Sequence, residues 1–381
     1  MRRLRGTLLL EGGPVTGVIE FDERITAIEV DGGSDASTAN GAGAPYIAPG
    51  FIDVHVHGGG GADTMDGPDG VVTLAAAHLA HGTTSILPTT ITNPWDDVIR
   101  ALNGVREVMT AQRQDGELRA LPQVLGAHLE GPFISPDRLG AQPPFALPAS
   151  PELVEQTLAT GVLRVVTLAP EIDGALAAAR AFAGAGVRVS LGHTVASYEQ
   201  VELVVEAVRD AGGEVGFTHL FNAMSPLGSR EPGVVGAALA SSEVYAELIL
   251  DLHHVHKASF IAALAAKSGR LMLITDGIRA TGTAAAETEL GGAPVIVRDG
   301  AARLADGTLA GSVLTLDRAF KNAVGAGVPL HVAAQLTATV PAAYLGLEDR
   351  GALAVGKRAD LLVLDGDLRP SEVYVGGVSA G

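Results

Sequence analysis

The residue pattern points to an α/β protein: a (β/α)8 TIM barrel carrying a small β-sandwich domain built from both chain termini. Three observations point there. Eight apolar, strand-like runs alternate with Ala-rich helical stretches through the middle of the chain. Short strand-and-turn segments of one character occupy both ends. Histidines and acids gather where the apolar runs stop, and in a barrel of this type the strand C-termini form the working face.

The elements follow in order. Residues 1–48 read as the strands "TLLL", "VTGVIEF" and "RITAIEV", followed by "DGGSDASTANGAGAP", a Gly/Ser/Asp-rich segment with the composition of an exposed loop. The eight central runs are "YIAPGFIDVHVHG", "TSILPTT", "QVLGAHLEG", "LRVVTLAPE", "VRVSLGHT", "VGFTHLFNA", "AELILDLHH" and "LMLITDG". Their near-continuous apolarity suits parallel strands buried on both faces. Between them lie helical stretches such as "DGALAAARAFAGAG", "SYEQVELVVEAVRDAGG" and "HKASFIAALAAKSG". "SPDRLGAQPPFALPASP" is rich in proline and lacks periodicity, and is expected to be a lid-like loop. The ending, "ADLLVLDGD" and "PSEVYVGGV", returns to short strands. The expected division is 1–49 with 346–381 as the small domain and 50–345 as the barrel.

Composition narrows the function. The chain has 381 residues, nearly half of them hydrophobic, enough for a large core. Its net charge of −17 speaks against a bulk nucleic-acid binder. It has no cysteine, so disulfides and thiolate zinc sites are excluded and any metal must rest on His, Asp and Glu. "MRRLRGTLLLEGG" is basic and then apolar, but the apolar run is too short for a signal peptide, and no run is long enough to span a membrane. The expectation is a soluble, cytoplasmic protein.

His55 and His57 lie one residue apart on a strand, so their side chains share a face. Glu130, His193, His219 and Asp276 each end a separate run. Glu130, His193 and His219 make a His2Glu set of the kind catalytic zinc uses with one position open. His55 and His57 add two further nitrogens, and Asp276 is available as a general base or as ligand to a second ion. The four lysines (Lys257, Lys267, Lys321 and Lys357) lie far from "RVVTLAPE", which excludes a bridging modified lysine at the fourth strand. His78, His81 and His331 are read as core or structural residues, His253 and His256 as structural or surface, and His128 as support for Glu130 or a plain core residue. A scaffold that had lost its chemistry should have lost ligands, and none is missing. A barrel-type nucleic-acid deaminase fits the acidic charge poorly.

These motifs resemble the amidohydrolase superfamily, and within it the N-acetylglucosamine-6-phosphate deacetylases. "PGFIDVHVHG" and "GALAVGKRADLLVLDGD" mark the superfamily; "HLEGPFISP", "LGHT", "THLFNAMSPLGSREPG", "LDLHHV", "TDG" and "GTLAGS" carry the narrower likeness. The resemblance implies metal-dependent hydrolysis of an acetamide to acetate and an amino-sugar phosphate in amino-sugar catabolism and recycling. N-acetylgalactosamine 6-phosphate or another N-acyl compound is the alternative substrate. It implies a divalent metal on Glu130, His193 and His219, with His55 and His57 matching a second-ion position in some members. Zinc is the first expectation, with iron, manganese or cobalt as alternatives, and one or two ions per subunit. Asp276 matches the acid/base. Asn222, Ala223, His254 and the turn Leu309, Ala310, Gly311 match sugar-phosphate contacts, and Ala141 and Gln142 lie on the loop over the substrate. Arg230 matches an arginine that reaches the phosphate across a homodimer interface; no nucleic acid or membrane partner is implied. The chain departs twice: Gln142 stands where relatives commonly have His, and Leu252 replaces a usual Gly beside His254, where it is expected to narrow the pocket or shift the loop.

Overall fold

The structure, a computed structural model, describes residues 1–31, 44–114, 116 and 118–380. Most of the expected Gly/Ser/Asp-rich loop, residues 32–43, lies outside them.

All eight apolar runs are parallel strands: Phe51–Val56, Thr83–Thr90, Ala127–Glu130, Leu163–Leu168, Arg188–Leu191, Val215–Phe217, Ala246–Ile249 and Leu271–Ile274. The first six pair in sequence order as neighbours, and the last two pair with each other. Main-chain bonds close the ring. Phe217 N–H donates to Tyr245 O and Leu220 N–H to Glu247 O, joining the sixth strand to the seventh. Asp276 N–H donates to His55 O and His57 N–H to Gly277 O, joining the eighth to the first. The result is a TIM-type α/β barrel, in which a helix such as Ala175–Gly184 or Tyr198–Asp210 returns the chain between parallel strands.

Helix starts follow local chemistry. Ser197 caps Tyr198–Asp210 in a reciprocal capping box with Gln200, and His256 accepts from Ala258 N–H at the head of Lys257–Ala266. His256 is thereby structural, as expected.

The two ends of the chain meet in one seven-stranded sheet. Its order is Val378–Ser379, Pro370–Val375, Leu361–Leu364, Tyr46–Pro49, Arg2–Leu10, Gly13–Phe21, Ile25–Val30. Tyr46–Pro49 is the seam: it runs parallel to the first strand and antiparallel to Leu361–Leu364. Leu8, Ile19, Phe21, Ile25, Ile47 and Leu361 form a buried cluster apart from the barrel core.

One element has no counterpart in the sequence reading. After the eighth barrel strand, Glu287–Leu290, Ala293–Arg298 and Ala301–Arg303 form a three-stranded antiparallel sheet beside the barrel mouth. A Gly291–Gly292 turn between two strand-like runs was the available signal.

Candidate metal centre

On Phe51–Val56 the period-two alternation turns Asp53 and His55 inward, and His57 follows on the same side. All three are buried. At the ends of the fifth, sixth and eighth strands, His193, His219 and Asp276 adopt left-handed backbone, with φ of 47°, 33° and 50°. Non-glycine residues seldom sit there, and each costs on the order of 1 kcal/mol or more, so the surrounding fold must impose it. Ser135 N–H donates to His193 O, Asn222 N–H to His219 O, and Ser312 N–H to Asp276 O, which fixes these turns.

The rings are aimed by their Nδ1 atoms. His55 Nδ1 donates to Glu247 Oε2 at 3.0 Å, His57 Nδ1 to Thr89 O at 3.3 Å, and His193 Nδ1 to Arg138 O at 2.9 Å. A carbonyl oxygen can only accept, so His57 and His193 carry a proton on Nδ1, and all three rings turn Nε2 inward, where it can ligate a metal once it is unprotonated. His219 Nδ1 has no partner.

Those Nε2 atoms converge on two carboxylates. His193 and His219 Nε2 lie 3.2 and 3.0 Å from Glu130 Oε1, and 3.0 Å from each other. His57 Nε2 is 3.2 Å from Glu130 Oε2 and 3.3 Å from Asp276 Oδ1. His55 Nε2 is 3.5 Å from Glu130 Oε1 and 3.6 Å from Asp276 Oδ1, and makes no hydrogen bond. Glu130, His193 and His219 form one ligand set; His55, His57 and Asp276 form a second. Donor atoms held at ~3.3 Å from one another match the edges of a tetrahedron around zinc. Lone pairs and carboxylate oxygens facing one another in a buried site repel unless a cation stands between them, so the residues fit a divalent ion.

The electrostatics agree. Burial opposes charge on every group here, yet Glu130 is held well below the ordinary carboxylate range by the His55 and His193 charges, and Asp276 is lowered by His55 and His57. Burial pulls His57 down, but its bonds to Asp276 and Glu130 push it up to about 9. The two acids demand positive charge beside them, as protons on the rings or as a metal.

Above these groups lies a cavity of about 330 Å³. His57, Glu130, His193, His219 and Asp276 are at its floor; Asn222, Ala223 and His254 line it, as do Leu309, Gly311, Ala141 and Gln142. Ala310 is packed with Ile278 in an apolar cluster, its N–H bound by Ala302 O, and does not line the cavity. Arg230 is exposed and lies outside the cavity of its own chain. His254 is oriented by Asp251, 2.7 Å from its Nδ1.

Both departures have structural explanations. Gln142 is buried: its Nε2 donates to Glu130 Oε2 at 2.5 Å and its Oε1 accepts Thr92 N–H at 2.7 Å. The main-chain donor fixes which way the amide faces. Leu252 has φ 70°, which explains why glycine suits the position, but its side chain is 51% exposed and does not line the cavity. The expected narrowing is therefore absent.

The remaining histidines divide as follows. His78 is buried beneath the glycine loop, with Nε2 3.0 Å from Gly58 O. His81 pairs with Asp317, and His331 lies outside the cavity. His128 is buried between Val54 O and Thr167 Oγ1, stacked edge-on against His55 rather than touching Glu130. Sequence reasoning missed Glu247, behind His55, and Arg138, at the cavity wall. A glutamate inside the apolar run "AELIL" was the signal for the first, because a buried carboxylate needs a partner.

The amidohydrolase family model matches residues 46–379. The chain is 40% identical over 342 residues to the N-acetylgalactosamine-6-phosphate deacetylase of Escherichia coli O157:H7, covering 88% of this chain and 87% of that one. It is 41% identical over 333 residues to the N-acetylglucosamine-6-phosphate deacetylase of Bacillus subtilis, covering 84% and 81%. Among solved structures, a variant of the N-acetyl-D-glucosamine-6-phosphate deacetylase of Mycobacterium smegmatis, in complex with N-acetyl-D-glucosamine 6-phosphate, superposes with a TM-score of 0.88 at 35% identity, over 99% of this chain and 98% of that one.

Proposed function

This chain belongs to the amidohydrolase family and, within it, with the N-acetylhexosamine-6-phosphate deacetylases; on that premise we propose how its cavity works. The enzyme hydrolyses the acetamide of N-acetyl-D-glucosamine 6-phosphate to D-glucosamine 6-phosphate and acetate. The observation that carries the reading is the convergence of two ligand sets on one cavity floor, with the Asp276 carboxylate among them. A second reading, the galactosamine epimer, is favoured by the 40% identity to a relative of that name.

An amide is a poor electrophile and water a poor nucleophile; a divalent ion held by Glu130, His193 and His219 supplies the polarisation and acidification that both need. Zinc suits this nitrogen–carboxylate set, and iron, manganese or cobalt are accommodated by the same donors. Asp276, ionised and facing the cavity, accepts a proton from the attacking water. The same carboxyl then gives that proton to the nitrogen as the C–N bond breaks; the water's second proton, left on the new carboxyl group, passes to the amine or to solvent, so acetate and the protonated amine leave with atoms and charge balanced. Asn222, Ala223, His254 and the Leu309–Gly311 turn hold the sugar phosphate. Arg230, outside its own chain's cavity, reaches a phosphate in a homodimer partner, where its planar, permanently charged fork suits the anion. Residues 50–345 act as the catalytic barrel, and 1–49 with 346–381 as the appended small domain, whose strands form one seven-stranded sheet rather than the two facing sheets of the expected sandwich. We place the protein in the cytoplasm; no helix among the described residues is long and apolar enough to cross a membrane.

The test is acetate release by metal-analysed protein offered N-acetylglucosamine 6-phosphate, its galactose epimer and unphosphorylated N-acetylglucosamine side by side. Release from a phosphorylated sugar, abolished by a chelator, is the expected result. No release from any of them by metal-loaded protein overturns the reading.

A further inference from the structure

Glu247 is completely buried on an otherwise apolar strand. An ionised carboxylate there is expensive to desolvate unless something compensates it. Among the described residues its hydrogen bonds come from the metal centre: Oε2 lies 3.0 Å from His55 Nδ1, and the same oxygen accepts the main-chain N–H of His219 at 3.4 Å. Oε1 has no partner. Among the described residues, no Arg or Lys pairs with Glu247, Glu130 or Asp276; each is within ion-pair distance of histidine alone. Three carboxylates thus surround rings whose Nε2 atoms must be unprotonated to bind metal. One divalent ion leaves that cluster negative, whereas two more than balance it and leave room for one anionic oxygen ligand.

We propose that Glu247 is a positioning residue that builds the second ion site: it locks His55 with Nδ1–H toward itself and Nε2 toward His57 and Asp276, and supplies the charge that draws a second divalent ion there. The inference rests on the metal-dependent reading above but not on its substrate. Because Oε2 also takes the His219 main-chain N–H, a glutamine at 247 keeps an oxygen toward His55 and loses the charge, with its NH2 placed where Oε1 has no partner. A methionine loses both the charge and the acceptor.

The experiment is zinc titration of the metal-depleted protein against a chromophoric chelator, with elemental analysis, for wild type, Glu247→Gln and Glu247→Met. The wild type is expected to bind two ions per chain. Glu247→Gln should weaken the second by about 10-fold and Glu247→Met by up to about 100-fold, with the first ion held within about threefold. In the zinc-loaded wild type, ¹⁵N NMR should show His55 protonated at Nδ1 and ligated through Nε2. A single ion per chain at saturating zinc, a second-ion affinity unchanged in both variants, or His55 ligated through Nδ1 overturns the proposal. The NMR result decides the ring's orientation even if a variant fails to fold. Absence of acetate release with this binding pattern intact would fault the substrate reading and leave the role of Glu247 standing.

Discussion

Acidification should destabilise this fold through His78. The ring is wholly buried, its Nε2 donates to Gly58 O, and its Nδ1 has no partner. Burial, reinforced by the neighbouring His81, pulls its pKa from 6.5 to about 4. At pH 7 the ring is neutral in both the folded and unfolded chain and contributes no pH dependence. Below pH 6.5 the unfolded chain takes up a proton that the folded chain refuses, so stability falls as pH falls, and the decline levels off below pH 4. With about 1.4 kcal/mol for each pH unit, the loss from this group is about 2 kcal/mol between pH 7 and pH 5 and about 3 kcal/mol once complete. The assay is urea unfolding of the wild type and of His78→Gln at pH 7 and pH 5 under the same metal conditions. Glutamine keeps an N–H for Gly58 O but cannot take up the proton, so the variant should gain about 2 kcal/mol on the wild type across that interval. Parallel losses within about 0.5 kcal/mol would mean that the buried ring pays no protonation penalty.

Two further outcomes follow from the site. Asp276→Asn should lower acetate release by about 10²- to 10⁴-fold while zinc stays on Glu130, His193 and His219, measured as turnover against metal content; near-normal turnover would remove its proton-transfer role. Gln142→Leu deprives Glu130 Oε2 of its donor and leaves Thr92 N–H buried without an acceptor. It should lower stability by about 1–3 kcal/mol and zinc affinity by about 10-fold or more, read by thermal unfolding and chelator competition. An unchanged zinc affinity would contradict the contact.

The barrel was legible because its eight strands are buried on both faces and so announce themselves as apolar runs, and because histidines stand out where such runs end. The alternation that puts His55 and His57 on one face needs no partner strand to be read. Glu247 was hidden for a physical reason: its meaning lies in a contact with a ring 192 residues away, visible only when the barrel closes. Gln142 was seen as a loop residue over the substrate, but the path of the loop turns its amide down onto Glu130. The three-stranded sheet at 287–303 carries polar, half-exposed strands whose pattern is weaker than that of the core. Ala310 and its neighbours share a turn, yet only the fold decides which of them faces the cavity.

The seam strand Tyr46–Pro49 has a consequence for how the chain is made. Its antiparallel neighbour, Leu361–Leu364, leaves the ribosome only after the entire barrel has been synthesised. Throughout that interval the nascent chain carries a strand edge with no partner, the kind of surface on which chains join to one another. The seam is only four residues long, is preceded by Pro45 and ends in Pro49, and neither proline has an N–H to offer an intruding strand. Those two prolines make the waiting edge a poor template for aggregation until its own partner arrives.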